Sequence, residues 1–503
     1  MKRTLFTFFA FALLTALSGA DEHDRPNIIL LMGDDHGWEE TGYNGHPHVK
    51  TPVLDEMAAS GLRLDRFYAG HPSCSPTRGS VLTGRHPNRY GTFAPGFSLR
   101  PEEITLAHLL SEAGYRCGHF GKWHVGTVKE GSPTNPGAMG FDHWVSHDNF
   151  FELDPHLSVN GGPPIMHEGE SSAVVINETR AFIKKAKIED KPFLAVVWFG
   201  SPHEPYSGLP EDLALYDDLP EEYADRGEVR LTSNETGLQV KRPLGEVLRE
   251  RYAEITAMDR SIGTLRNFLE KEGLRENTLL WYCGDNGTPR SGVLASPLRG
   301  QKAMVYEGGI RVPGVIEWPA RITEPQVSET NAVTSDMLPT ACALARKPLP
   351  DRPLDGISLA PLFDGFLTER PEPIFFWEFD YRDEAKANPK PYLDPEQQKG
   401  TTPLVKLSGG IPTRNFKNFH HPVIDEDDYL GPRVMLGERY KLVVHDRQGA
   451  ENSKIELFDL DADTAEETNL AEKEPEQVKS MLASLREWQQ SVLNSLMGED
   501  YAK

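Results

Sequence analysis

The chain has 503 residues, 38% of them hydrophobic, and a formal net charge of −23. That length exceeds one ordinary core, so two domains are expected, and the acidity argues against partners such as nucleic acid or anionic membrane. Four cysteines (Cys74, Cys117, Cys283 and Cys342) make no disulfide framework; buried thiols are expected at the last three, with a Cys117–Cys283 bridge left open.

Lys2 and Arg3 precede an apolar run from Leu5 to Leu17, closed by Ser18-Gly19-Ala20. Residues 1–20 therefore read as a signal peptide, too short to span a bilayer. Ala20 stands where a lipoprotein would carry Cys, so a secreted or periplasmic protein with no membrane anchor is expected. Asn27 to Met32, Phe193 to Phe199 and Thr278 to Cys283 are continuous apolar runs, the pattern of buried parallel strands. Helical spacing lies between them at Leu54 to Ala59, Leu106 to Ala113, Val174 to Ala186 and Arg249 to Leu269. This alternation predicts an α/β fold, a large mostly parallel sheet with helices on both faces, over residues 21–365. Residues 366–503 read as a small α+β domain. Its short antiparallel strands fall at Arg433 to Met435, Tyr440 to Val444 and Glu456 to Asp459, and a terminal helix runs from Pro475 to Leu496. Gly208 to Leu244 and 381–432 read as long inserted loops, of the kind that either shape a binding rim or are disordered.

Ligands of α/β sheets bind beyond the carboxyl ends of the strands. The three apolar runs end in Asp34-Asp35, Ser201-Pro202-His203 and Asp285-Asn286. Adjacent carboxylates repel unless a cation offsets them. Four oxygen donors without a Cys or His pattern favour a hard cation, Ca²⁺ ahead of Mg²⁺. Cys74-Ser75-Pro76-Thr77-Arg78 places a thiol at a helix N-terminus, where negative charge is favoured, and Arg78 on the same helix face. In Gly121-Lys122-Trp123-His124 an extended backbone would point Lys122 and His124 the same way, suiting anion binding with proton transfer. His203 sits in a proline-braced turn, and Lys302 precedes the glycine-marked loop Tyr306 to Pro313.

Several of these segments together resemble the type I sulfatases of the alkaline-phosphatase-like superfamily, nearest the arylsulfatase and N-acetylgalactosamine-6-sulfatase branch. They are Asn27 to Asp35, Cys74 to Arg78 with Leu82-Thr83-Gly84-Arg85, Gly121 to His124, Gly284 to Gly287 and Glu307 to Pro313, and the match runs over about residues 26 to 365. The tail, with Tyr440-Lys441-Leu442, Glu456 to Leu460 and Glu467 to Leu470, is similar to that family's C-terminal domain.

The resemblance implies a sulfuric ester hydrolase acting on a sulfated saccharide of galactose or N-acetylgalactosamine type. It implies that Cys74 is converted to Cα-formylglycine during export by a formylglycine-generating or anaerobic sulfatase-maturating enzyme. One hydroxyl of the aldehyde hydrate would attack sulfur and the other would later expel sulfate. Asp34, Asp35, Asp285 and Asn286, with Cys74 beside them, match the calcium ligands. Arg78 matches the residue orienting the hydrate, Lys122 and Lys302 the sulfate-binding lysines, His124 a base, and His203 the group near the leaving oxygen. His36 and Gln301 depart from the common pattern and bear on pocket shape. His147, Asp148, Arg414, His420 and His421 are candidate sugar contacts. A phosphonate or phosphate ester hydrolase on the same scaffold, and a non-catalytic carbohydrate-binding relative, are the alternative functions.

Overall fold

The three apolar runs become neighbouring strands, Asn27–Gly33, Phe193–Trp198 and Thr278–Gly284, paired in parallel with Asn27–Gly33 in the middle. The computed structural model describes residues 25–224, 227–292, 296–381, 390–404, 413–421, 431–445 and 454–501. Residues 1–20, read from the sequence as a signal peptide, and much of the stretch 381–432 lie outside them. No helix among the described residues is long and apolar enough to cross a membrane.

The main sheet has ten strands. Arg116–Lys122 and His143–His147 extend its parallel centre on one side. Gly314–Glu317 and Leu62–Leu64 add antiparallel strands on the other. Alternate residues of the central strands serve opposite faces. Leu30, Val196 and Trp281 pack with Val81 and Leu82 of the helix Cys74–Thr83 and with Leu106 and Leu110 of Leu106–Glu112. Leu31, Val197 and Leu280 pack with Met57 of Pro52–Ser60, Ile183 of Ser171–Ile188 and Met258 and Leu265 of Leu244–Lys271. Each fully buried aliphatic side chain of this kind contributes about 1.5–3 kcal/mol, so the central strands cannot slip register cheaply.

Ile374–Trp377, Arg433–Leu436, Tyr440–Val444 and Ile455–Asp459 form a second, antiparallel sheet. One face holds the terminal helix Pro475–Met497, through Leu485, Trp488 and Val492 against Trp377, Leu442 and Leu457. The other face packs Phe376, Val434 and Phe458 on Tyr68, Val305 and Ile310 of the larger unit. The sheet thus backs directly onto the loop that carries Lys302.

Gly208 to Leu244 is not the unstructured insertion that its composition suggests. Short helices at Pro210–Ala214 and Glu221–Ala224 are followed by an antiparallel hairpin, Glu228–Thr232 with Gln239–Pro243. Leu231 of the hairpin is buried against Tyr206 and Val247. One apolar anchor per strand turn, with charged neighbours, reads as loop by composition yet is enough to seat a hairpin on a ready-made surface.

Candidate active site

Parallel pairing decides where the polar strand ends go. Gly33 lies opposite Gly284, so Asp34 and Asp285 leave the sheet side by side. Gly284 is required there, because a Cβ at that position would stand 2.0 Å from the carbonyl oxygen of His36. Asp35 adopts a left-handed φ of 62°, a conformation non-glycine residues hold only when surroundings enforce it. Three bonds hold it: its N–H donates to Asp285 Oδ1 at 2.9 Å, Asn286 Nδ2 donates to its Oδ1 at 2.9 Å, and Arg251 Nη2 donates to its carbonyl at 2.6 Å.

The helix Cys74–Thr83 begins at the same edge, and Cys74 and Arg78 are both buried. Arg78 donates to Asp285 Oδ2 from Nε at 3.1 Å and Nη2 at 2.6 Å, and lies 3.3 Å from Asp34 Oδ1. Its Nη1 donates to the Lys122 carbonyl at 3.0 Å. Lys122 Nζ donates to Asp34 Oδ2 at 2.6 Å, and Lys302 Nζ donates to Asp35 Oδ2 at 2.7 Å. Asp34, Asp35 and Asp285 therefore face Arg78, Lys122 and Lys302 in a largely buried volume. Cys74 Sγ and one carboxylate oxygen each of Asp34 and Asp285 lie within 4.8 Å of one another; so do ligand atoms of Asp34, Asp35 and His203. Of the four oxygen-donor residues singled out from the sequence, Asp34 and Asp285 meet at the thiol, and Asp35 is bonded to Asp285 through its N–H and to Asn286 through its Oδ1.

Electrostatics separates their behaviour. Burial, reinforced by Asp34, lifts the Asp285 carboxyl to about 6. Burial pushes Asp35 the same way, yet Lys302, His203 and Lys122 outweigh it and hold that carboxyl well below the usual range. Burial also raises the Cys74 thiol despite Lys122 and Lys302, so the encoded cysteine is poorly ionised as a nucleophile. Burial keeps His124 neutral, with Lys122 and Arg414 acting in the same sense, and neither ring nitrogen has a hydrogen-bond partner among the described residues. A neutral imidazole can accept a hydrogen bond or proton at its unprotonated nitrogen. His203 donates Nδ1 to the Glu204 carbonyl at 2.5 Å, stacks on Phe150 with centroids 5.1 Å apart, and presents Nε2 3.7 Å from Asp35 Oδ2.

One expectation fails in its geometry. The strand ends at Lys122, and His124 turns with a left-handed φ of 58°, so simple alternation does not align the two side chains. They nevertheless converge, because the turn brings His124 under the field of Lys122.

The substrate-contact candidates divide. Asp148 is spent on loop fixing: Val128 N–H donates to it at 2.8 Å, and Thr401 and Thr402 N–H at 2.5 and 2.9 Å. His147 is buried, accepts from Asn149 N–H at 3.1 Å, and is held down to about 3 by burial. His420 stacks on Tyr392 at 4.2 Å, and His421 packs edge-on to Phe93 at 5.5 Å. Arg414 alone of the five stands where its charge reaches His124, and its Nε is buried with no hydrogen-bond partner among the described residues. His36 packs behind the site, 2.5 Å from the Tyr282 hydroxyl.

A supporting residue escaped the sequence. Arg251, on the long helix, is buried and pairs with Glu40 at 2.7 and 2.5 Å. It also donates to the carbonyls of Asp35 and Pro202 at 2.6 and 2.5 Å, tying the first metal-side loop to the His203 turn. No local pattern marks a pair 211 positions apart.

The donor set fits a divalent cation. Among the described residues Asn286 Oδ1 is buried with no hydrogen-bond donor, and Asp34 Oδ1 has none beyond its ion pair with Arg78 at 3.3 Å, an expensive state that a cation relieves. The ligands are oxygens from carboxylates and an amide, the chemistry of a hard ion.

The sequence profile of the family Sulfatase matches residues 26–347. Human arylsulfatase A is 32% identical over 414 residues, 75% of this chain and 75% of that protein. The N-acetylgalactosamine-6-sulfatase of Canis lupus familiaris is 31% identical over 404 residues, 72% of this chain and 70% of that protein. Among solved structures, Ps i-CgsB in complex with k-i-k-neocarrahexaose superposes with a TM-score of 0.71 over 93% of each chain at 21% identity, a likeness of fold.

Proposed function

Because this chain belongs to the sulfatase family and is a sulfuric ester hydrolase, we propose that it removes sulfate from a sulfated carbohydrate of galactose or N-acetylgalactosamine type, using a formylglycine made from Cys74. The observation that carries this reading is the convergence of Cys74, Asp34 and Asp285 within 4.8 Å, ringed by Arg78, Lys122 and Lys302. A buried thiol whose ionisation is suppressed is a weak nucleophile, so an unmodified Cys74 is poorly suited to attack sulfur itself.

Asp34, Asp35, Asp285 and Asn286 would hold the cation, Ca²⁺ by the hardness of the donors. A cation held by these residues would make the proton of a hydroxyl at position 74 easier to lose. Arg78, fixed by two bonds to Asp285, orients that group and balances its charge. Lys122 and Lys302 bind the sulfate oxygens and neutralise charge as the S–O bond breaks, each contributing a few kcal/mol as fixed donors of this kind do. His124, neutral and without a partner, takes a proton from the hydroxyl at position 74. His203, oriented by the Glu204 carbonyl, faces the leaving oxygen with Nε2. The N-acetylgalactosamine-6-sulfatase relative supports the sugar class, and Arg414 is the residue best placed to contact it. The leader-like residues 1–20 support export to the periplasm or beyond, with maturation by a formylglycine-generating or anaerobic sulfatase-maturating enzyme on the way.

The test is a panel of defined sulfated oligosaccharides beside paired aryl sulfate and aryl phosphate esters, read by anion release. Sulfate release from a galactose-type unit is expected. Faster phosphate than sulfate release would replace the reading with a phosphate or phosphonate ester hydrolase.

A further inference from the structure

Beside Asp35, His203 and Lys302 lies a cleft of about 530 Å³. Its floor is the site already described. Its walls are the hairpin Glu228–Thr232 with Gln239–Pro243 on one side and the Pro289 to Ser291 turn on the other.

The hairpin wall carries an arrangement with an electrostatic cost. Arg230 and Lys241 are directly opposite in the antiparallel register, so their side chains share one face. Like charges in that position repel. Lys241 has partial relief from Glu228, whose carboxylate is 3.7 Å away. Arg230 has no ion-pair or hydrogen-bond partner among the described residues, and neither has Arg290 on the facing wall. Of the other acids lining the cleft, Glu204 is occupied by the Thr232 N–H and hydroxyl at 3.3 and 3.1 Å, and Asp35 by Lys302 at 2.7 Å. In a chain of net charge −23, the exposed Arg230 and Arg290 put positive charge on both walls of the cleft that leads to Lys302.

Resting on the sulfatase reading, we propose that this cleft is a second anion subsite, in which Arg230 and Arg290 bind another sulfate or carboxylate of the same saccharide while its sulfate ester is at Cys74. The substrate is then a multiply charged oligosaccharide, and the inserted hairpin is a specificity element. Guanidinium groups suit this task because they offer paired donors to a planar or tetrahedral oxyanion.

The experiment uses the matured full chain and three oligosaccharides sharing one scissile sulfate. One carries no other charge, one a second sulfate and one a uronate carboxylate. The readout is the ratio of kcat/KM for each doubly charged substrate to that for the singly charged one. For Arg230→Ala with Arg290→Ala the preferred ratio is expected to fall about tenfold through KM, the scale of a lost charge-assisted contact. Arg→Lys at both positions should restore part of it, and Lys479→Ala on the exposed terminal helix should leave it unchanged. Which ratio moves identifies sulfate or carboxylate as the second group. A wild-type ratio near one, or a ratio the double variant does not move, overturns the inference while leaving the sulfatase reading intact. No sulfate release from any of the three by wild type removes that reading, and the inference with it.

Discussion

Lys441→Met tests how the small sheet supports the catalytic loop. Lys441 Nζ is fully buried, 2.9 Å from Glu307 Oε1 and 2.8 Å from Glu466 Oε1, both equally buried. Glu466 Oε2 in turn accepts the Glu307 N–H at 2.7 Å, and Glu307 opens the turn that follows Lys302. Methionine keeps the length and removes the charge, leaving two carboxylates together in the interior. Removing one partner of a buried ion pair costs about 3–5 kcal/mol. At ~2–4 °C per kcal/mol for a cooperative unit of 150–250 residues, the thermal midpoint should fall by about 6 °C or more.

The pH profile of that loss is diagnostic. Burial opposes the charge on Lys441, but Glu307 and Glu466 outweigh it and raise its pKa. A raised folded pKa gives a contribution fully present below the ordinary lysine value, so the wild-type lysine adds no slope between pH 5 and 8. Without it Glu466, whose carboxyl burial already raises against the pull of Lys441, resists ionisation further, and stability is lost as pH rises through its elevated pKa. The gap between wild type and variant, followed by circular dichroism melts, should therefore widen from pH 5 to 8. Adding Glu466→Gln should recover part of it, and kcat should drop because the Lys302 loop loosens. A gap that is absent, or equal at every pH, would refute the argument.

Arg251→Met should destabilise by a similar ~3–5 kcal/mol, since Glu40 is left buried and unpaired, and should lower kcat/KM because the Asp35 and Pro202 carbonyls lose their anchor; unaltered kinetics in a folded variant would show the anchor to be dispensable. Asp259 accepts the Val53 and Leu54 N–H groups at 3.0 and 2.8 Å, capping the helix Pro52–Ser60 from outside, and burial lifts its carboxyl to about 7. A raised acid stabilises fully below its ordinary pKa and loses that contribution as pH rises through about 7, so wild type should lose ground to Asp259→Asn between pH 5 and 8 in thermal melts; a constant difference would contradict the shift. Chelation with EDTA should lower both activity and the thermal midpoint, with calcium restoring them better than magnesium or zinc; indifference of the midpoint to EDTA would count against a resident cation.

The parts of the site legible in the sequence are those where one residue type has one dominant use. A parallel strand buried on both faces is a continuous apolar run, so the strands from Asn27, Phe193 and Thr278 stood out, and their polar ends marked the sheet edge. Cys74 was placed by its helix N-terminus and Arg78 by one turn of spacing. What stayed hidden depended on partners far along the chain. Asp148, a candidate sugar contact by its position in the sequence, also accepts the Thr401 and Thr402 N–H groups, a tie across more than 250 residues that no local pattern shows. Arg251 and Glu40 carry no local signal, and the convergence of Lys122 with His124 arises through a left-handed turn rather than by alternation. The hairpin beside the cleft escaped because charged strands with a single apolar anchor read as loop.

Mass spectrometry of the Cys74 peptide, isolated from enzyme of measured specific activity, bears most directly on the chemistry. The aldehyde mass is expected, its fraction tracking activity across preparations, with none in an inactive Cys74→Ala variant that melts normally. Full turnover from enzyme whose Cys74 is entirely an unmodified thiol would contradict the account.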